Sequence, residues 1–329
     1  HGLGRWNEAA FRRALREGRS ADGRALLPAC PYPNFSLVED GDADDLFAFL
    51  RSLPAQAQPA APHDLHGLYA LPAALMAWRW LHFEPATLPP LPAGARSDWR
   101  RGAYLVGGLG HCSACHGRRD TQGATAGAWD FRGGPIPLQG WLAPSLADPR
   151  QGAVSGWTED DVVALLKDGR NGKATVSGPM ALVVARSTQH YTDADARAVA
   201  EFLRRLPVPP VTAAAAAAAP TDAVLQQGDR LYERHCADCH GKAGEGVVDA
   251  GPALAGNRAL ALASPVNVTR VVLGGGFGPA TAGQPRPWGM PPFATLLSDD
   301  ETAAVVSQVR WRFGGGAEGT TAFEVNRQR

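Results

Sequence analysis

Apolar and polar residues follow one another along this chain in short blocks, and several blocks read as helices bracketed by capping and breaking residues. Asp98 to Leu109 is predicted as one helix with Ser97 as its N-cap, and Asp222 to Glu233 as another with Thr221 as its cap. Thr192 opens a helix that runs to Leu206 and is stopped by Pro207. Ser298 opens another, with Glu301 three residues on forming a capping box. Thr158 begins a shorter helix that ends near Gly169. The first two helices each carry a glycine early (Gly102, Gly228) and a tyrosine later (Tyr104, Tyr232). A glycine inside a helix costs about 1 kcal/mol against alanine. A close-packed neighbour is therefore expected, and the last helix of the same domain would supply it. The apolar stretch from Leu68 to Leu81 is interrupted by Pro72 and Arg79, and is shorter than the ~20 residues a bilayer span needs. No transmembrane helix is expected. The aromatic centre that follows, Trp78, Trp80 and Phe83, reads more readily as core packing than as a partner surface, and Met76 as core.

Composition narrows the class. At 329 residues the chain fits two or three domains, and 45% hydrophobic residues exclude overall disorder. Lys+Arg and Asp+Glu are 32 each, so the net charge is zero, which argues against nucleic acid as a partner. The 38 glycines and 27 prolines are about one residue in five, against roughly 12% on average. Turns and loops are abundant, with little room for a large sheet or a long bundle. The chain starts at His1 without a signal peptide, which reads as a processed or trimmed start.

Four of the five cysteines form two copies of one pattern, Cys112-Ser113-Ala114-Cys115-His116 and Cys236-Ala237-Asp238-Cys239-His240. C-x-x-C-H is the attachment signature of c-type haem. Two thiols add to the two vinyl groups of one porphyrin, and the adjacent histidine then reaches the iron. A thioredoxin-like dithiol would need a βαβ setting, which neither copy has. A shared zinc site would use the four cysteines and leave both histidines unexplained. Two covalent haems are expected. Haem c is attached outside the cytoplasm in bacteria, so the periplasm is expected too.

The iron-binding histidine needs an acceptor for its other ring nitrogen. Pro144, in Ala143-Pro144-Ser145-Leu146, and Pro252, in Gly251-Pro252-Ala253-Leu254, are the candidate carbonyls. Sixth ligands are sought among three methionines. Met180 follows Gly178-Pro179, and Met290 lies in Pro287-Trp288-Gly289-Met290-Pro291-Pro292. Both are placed in Gly/Pro loops ahead of a final helix, an unusual setting for a core filler. His116 with Met180, and His240 with Met290, are the expected axial pairs. Such ligation raises the haem potential and closes the iron to substrates. The run Gly274-Gly275-Gly276 lacks the context of a nucleotide site and reads as loop.

The N-terminal segment repeats the tail of the middle region. Trp6-Asn7-Glu8 matches Trp157-Thr158-Glu159, Leu15 to Arg19 matches Leu166 to Arg170, and Phe49 to Pro54 matches Phe202 to Pro207. Residues 6–54 thus read as the second half of a further haem domain. Cys30 stands where that half would carry its methionine. Three readings remain open: the sequence begins partway through a three-haem protein and Cys30 faces a third haem; the first haem is lost and Cys30 is a small buried relic; or Cys30 ligates iron as thiolate. A bare half-domain would expose its apolar faces, so it is expected to pack on the rest of the chain or on a partner.

These residues, with Pro31-Tyr32-Pro33-Asn34, Arg101 to Val106, Gly110-His111-Cys112, Gly140 to Pro144, Gly169 to Gly172, Ser187-Thr188-Gln189 and Met290 to Phe293, give the chain a family likeness. It resembles the three-haem cytochrome c subunits of bacterial periplasmic, membrane-associated dehydrogenases. The resemblance implies an all-α fold of tandem class-I-like cytochrome c domains, the first incomplete here. It implies a catalytic partner subunit carrying PQQ, FAD or molybdopterin, with electrons passed on to quinone or a terminal oxidase. No catalytic centre is expected on this chain. The expected organisation is an incomplete domain at 1–57, a connector at 58–95, haem domains at 96–208 and 223–329, and a Pro/Ala linker at 209–222. The polar C-terminus, Glu324 to Arg329, carries no anchoring helix. The rival readings are a dihaem cytochrome c peroxidase, which would need one open iron position, and a stand-alone electron carrier.

Overall fold

The computed structural model describes residues 2–55, 64–65, 67–210, 218–248 and 250–329. The alanine-rich part of the expected linker, 211–217, and the first part of the expected connector lie outside the described residues. The fold is all-α, and among the described residues the regular strands are two-residue antiparallel pairs. Two compact units are distinguished, residues 1–131 and residues 132–329.

In the first unit, α1 (Glu8–Glu17) starts on Asn7, whose Oδ1 accepts from the Ala10 N–H at 2.8 Å, and ends on left-handed Gly18. A Cβ on Gly18 would run into the ring of Tyr32, which is fully buried. The short α2 (Tyr32–Phe35) leads into α3 (Asp40–Ser52). α1 and α3 pack through the stacked rings of Phe11 and Phe47, 5.0 Å apart. Arg12 and Arg16 bridge from α1 to Asp40. This N-terminal segment thereby has a small core of its own.

It also packs on the segment that carries the first C-x-x-C-H. Asn34 is buried and donates to the Gly107 carbonyl and to Ser113 Oγ, each at 2.8 Å. The Glu39 N–H donates to the Tyr104 hydroxyl, which in turn donates to Asp42. Phe35 meets the edge of His111 at 5.4 Å.

The connector helix α4 (Pro72–His82) buries no side chain fully. Trp80 is 80% exposed and Met76 only half-buried, so the expectation of core packing is corrected for both. The helix lies along the surface, held by Trp78 Nε1 on the Gln122 carbonyl (3.0 Å) and Arg79 Nε on the Glu17 carbonyl (2.6 Å). Those anchors use one side of the helix and leave Leu71, Trp80 and Leu81 to solvent.

The helix expected over 98–109 is composite. α5 (Trp99–Tyr104) widens into a π turn over Leu105–Leu109. Asp98, not Ser97, holds the N-cap position, and its carboxylate is engaged by Arg96 at 2.7 and 3.1 Å. The widening coincides with Gly107, where a Cβ would collide with the Trp129 ring, and Leu37 presses on the same spot. Adjacent glycines offer little resistance to such a bulge. α6 (Ser113–His116) follows at once.

The second unit begins with β1 (Gly134–Pro135) paired to β2 (Leu142–Ala143). α7 (Glu159–Asp168) carries a complete capping box between Thr158 and Asp161 and stops at left-handed Gly169. α8 (Gly178–Arg186) follows, then α9 (Asp193–Arg204), capped by Thr192. Met180 lies inside α8, which corrects the expectation of a loop. The Gly-Pro pair before it acts as a helix start, because proline at the first positions loses no hydrogen bond.

α10 (Asp222–His235), α11 (Ala237–His240), α12 (Val266–Gly274), β3 (Gly276–Phe277), β4 (Gly289–Met290), α13 (Asp299–Phe313) and α14 (Ala322–Asn326) complete the unit. α10 crosses α13 at Gly228, where a Cβ would strike Gln308 and the Ala304 carbonyl. Tyr232 and Phe313 pack across the same crossing, 5.4 Å between centroids.

Arg310 on α13 is fully buried and donates to backbone carbonyls, those of Glu318 and Leu262 at 2.7 Å and of Ala263 and Ser264 at 3.3 Å. Burial lowers its pKa to about 10. Its five donors tie α13 to two loops. Among the described residues, no helix is long and apolar enough to cross a membrane.

Candidate functional site

The second C-x-x-C-H opens where α10 ends. Cys236 terminates α10, and the single turn of α11 places Cys239 and His240 next to it. Both cysteines are free thiols. His240 Nδ1 lies 2.8 Å from the Pro252 carbonyl oxygen. A carbonyl only accepts, so Nδ1 carries the proton and Nε2 keeps its lone pair. Burial holds the imidazole pKa below its ordinary value, which favours the neutral form a metal requires.

Backbone closeness shapes this corner. A Cβ on Gly246 would meet the Pro252 and Ala253 backbone, and one on Gly251 would meet Cys239. Gly246 is left-handed, and its N–H donates to the His240 carbonyl at 2.7 Å.

Cys236, Leu254, Val268, Val272 and Met290 all pack against the core formed by Leu231, Tyr232, Phe293 and their neighbours. Met290 sits on β4, paired through the register Gly276↔Met290. Cys236 and Met290 therefore border one apolar core, and the single turn of α11 carries Cys239 and His240 on from Cys236. This donor set fits a covalently held haem: the thiols for the vinyl carbons, nitrogen and sulfur for iron.

The first C-x-x-C-H lies in the first unit. Ser113, inside the motif, is completely buried and accepts from Asn34. Arg119 donates to the Ala114 carbonyl at 2.5 Å, steadying the turn between the two cysteines. Burial pushes the Cys112 thiol up to about 12 and the Cys236 thiol up to about 11. Redox-active dithiols have lowered pKa values, so these environments do not suit a dithiol couple. Met180, half-buried on α8, and Pro144, which follows β2, belong to the second unit. Cys30 is an exposed free thiol at the end of a turn, its N–H on the Leu27 carbonyl at 3.2 Å.

Two groups of residues escaped the sequence reading. Asn34, named above only as part of the Pro31-Tyr32-Pro33-Asn34 run, is the polar anchor between the N-terminal segment and the first motif. Arg170 lies over the Trp288 ring at 4.4 Å, a pairing with no local sequence signal.

Comparison with known proteins adds the following. A family profile described as Cytochrome c matches residues 100–207 and 225–312. The chain is similar to the cytochrome c subunit of alcohol dehydrogenase (quinone) from Gluconacetobacter polyoxogenes, 37% identical over 100% of this chain and 74% of that protein. The subunit of the same description from Gluconobacter oxydans is 36% identical, over 98% of this chain and 70% of that protein. The gluconate 2-dehydrogenase cytochrome c subunit of Pantoea cypripedii is 32% identical, over 98% and 77%.

Proposed function

The chain belongs to the cytochrome c family, and from that premise we propose that it is the electron-transfer subunit of a dehydrogenase, taking electrons from a catalytic partner and passing them on. Relatives named as cytochrome c subunits of alcohol and gluconate dehydrogenases support the partner. They do not favour a dihaem peroxidase.

One observation in the structure carries the reading. His240 is held by Pro252 at 2.8 Å with its other nitrogen free, beside two unpaired thiols. Bound haem c would supply the one-electron chemistry. The chain's residues would do the rest: Cys112, Cys115, Cys236 and Cys239 would tether the haems, His116 with Met180 and His240 with Met290 would ligate the irons, and Pro144 and Pro252 would orient the imidazoles. The apolar residues Leu254, Val268 and Val272 would keep water from the site at Cys236 and His240.

Two haems are proposed on this chain, with quinone or a terminal oxidase as the onward acceptor and the periplasm as the compartment. Exposure of Phe49 at 60%, where its repeat counterpart Phe202 is 3% exposed, supports reading residues 1–57 as an incomplete domain.

The test is the intact mass of the denatured chain from its native source. Polypeptide plus two haems is expected. Bare polypeptide would overturn the reading. A mass with an added N-terminal stretch and a third haem would replace the two-haem count.

A further inference from the structure

The hairpin that presents Met290 is braced from outside its own domain. Between β3 and β4 the chain makes an excursion, residues 278–288, closed by the Gly278 N–H on the Trp288 carbonyl at 3.2 Å. This excursion rests on the C-terminal turn of α7. Pro279 is buried against left-handed Gly169, so closely that a Cβ there would collide with it. Thr281, 5% exposed, donates through Oγ1 to Asp168 at 3.3 Å, and Gly283 sits directly over the same carboxylate. Gln189, just past α8, donates to the Ala280 carbonyl at 3.1 Å. Arg170 completes the contact by lying over Trp288, two residues before Met290.

We propose that Asp168–Gly169–Arg170 is a clamp on the Met290 hairpin and that Arg170 is a positioning residue for the Met290 thioether. A cation over an indole face is attractive, more so when partly desolvated. Here it fixes the plane of Trp288 and, through Gly289, the approach of the next side chain. Glycine at 289 would otherwise leave that approach loose. The strength of axial thioether ligation in the last domain is thereby set partly by the preceding one. The proposal rests on the reading of Met290 as an iron ligand.

The experiment uses the full chain with haem attached, oxidised, titrated with imidazole. Displacement of methionine is followed by loss of the sulfur-to-iron charge-transfer band. Met290→Ala first identifies which part of the band belongs to Met290. Arg170→Ala is expected to raise the apparent imidazole affinity at that component about three- to tenfold, the range a cation–aromatic contact supports. Arg170→Lys should restore part of the difference, and Thr281→Val should shift it in the same direction as Arg170→Ala.

Unchanged imidazole affinity in Arg170→Ala would overturn the clamp while the Met290 reading stands. So would a lower unfolding temperature with no change in affinity, which is the mark of a purely structural contact. If Met290→Ala leaves the whole band intact, the ligand assignment itself fails and the clamp falls with it.

Discussion

Single residues carry much of this fold because so many backbones run close together. Gly228 is the clearest case, since α10 reaches α13 only where there is no side chain. Replacing it with alanine improves helix propensity by about 1 kcal/mol, yet the added methyl would strike Gln308 and the Ala304 carbonyl. Overpacking of this kind costs about 1–3 kcal/mol. Gly228→Ala should therefore be net destabilising by up to about 2 kcal/mol, read as a lower urea midpoint with an unchanged slope. The glycine was visible in the sequence, and so was the argument for a close neighbour. Met180 was misplaced for an equally local reason. Gly178-Pro179 reads as a loop from the sequence, whereas proline early in a helix is well tolerated and opens α8. Arg170 could not be found at all, because its partner Trp288 is distant in the chain and nothing near either residue marks the pairing.

At the level of elements, capping chemistry was the most legible feature. Thr158, Thr192, Thr221 and Ser298 each cap the helix assigned to them. The exception is Ser97, displaced because Arg96 and Asp98 pair with each other and shift the start by one residue. The π turn over Leu105–Leu109 was not legible, since it answers to Trp129 and Leu37 rather than to its own sequence.

α7 also offers a pH signature. Lys173, donating to the Asp161 carboxylate, and the Thr158 cap together hold Asp161 down to about 2, against an ordinary 3.8. A depressed carboxylate contributes stability that is complete above its unfolded pKa and lost as pH falls through the folded one. Stability should thus decline between about pH 4 and pH 2, and Asp161→Asn should flatten part of that decline in denaturation midpoints measured across the range. Asp22, likewise held to about 2 by Ser20 and Arg24, should account for some of the slope that remains.

For the whole molecule, net charge was informative and surface pattern was not. Equal numbers of acidic and basic residues, 32 each, leave no net charge to steer a partner. Association with the dehydrogenase should change less than about threefold between low and moderate salt, as measured by stopped flow. A tenfold or steeper fall would reveal a charged patch that the sum conceals. The repeat in the N-terminal segment suggests a kinship for residues 6–54, but not what they lie on. Only the structure shows Asn34 reaching Gly107 and Ser113. The apolar connector helix was expected inside, and its pattern alone did not reveal that Trp80 faces outward.

Arg310 sets an order of events. Among the described residues its guanidinium donates to carbonyls of residues 262–264 and of Glu318. Until Glu318 arrives, burying that charge leaves a donor unmet at considerable cost. Burial of α13 is therefore complete only once the chain has folded back over it as far as Glu318, so a change in the 314–318 return is felt at the helix that α10 packs on.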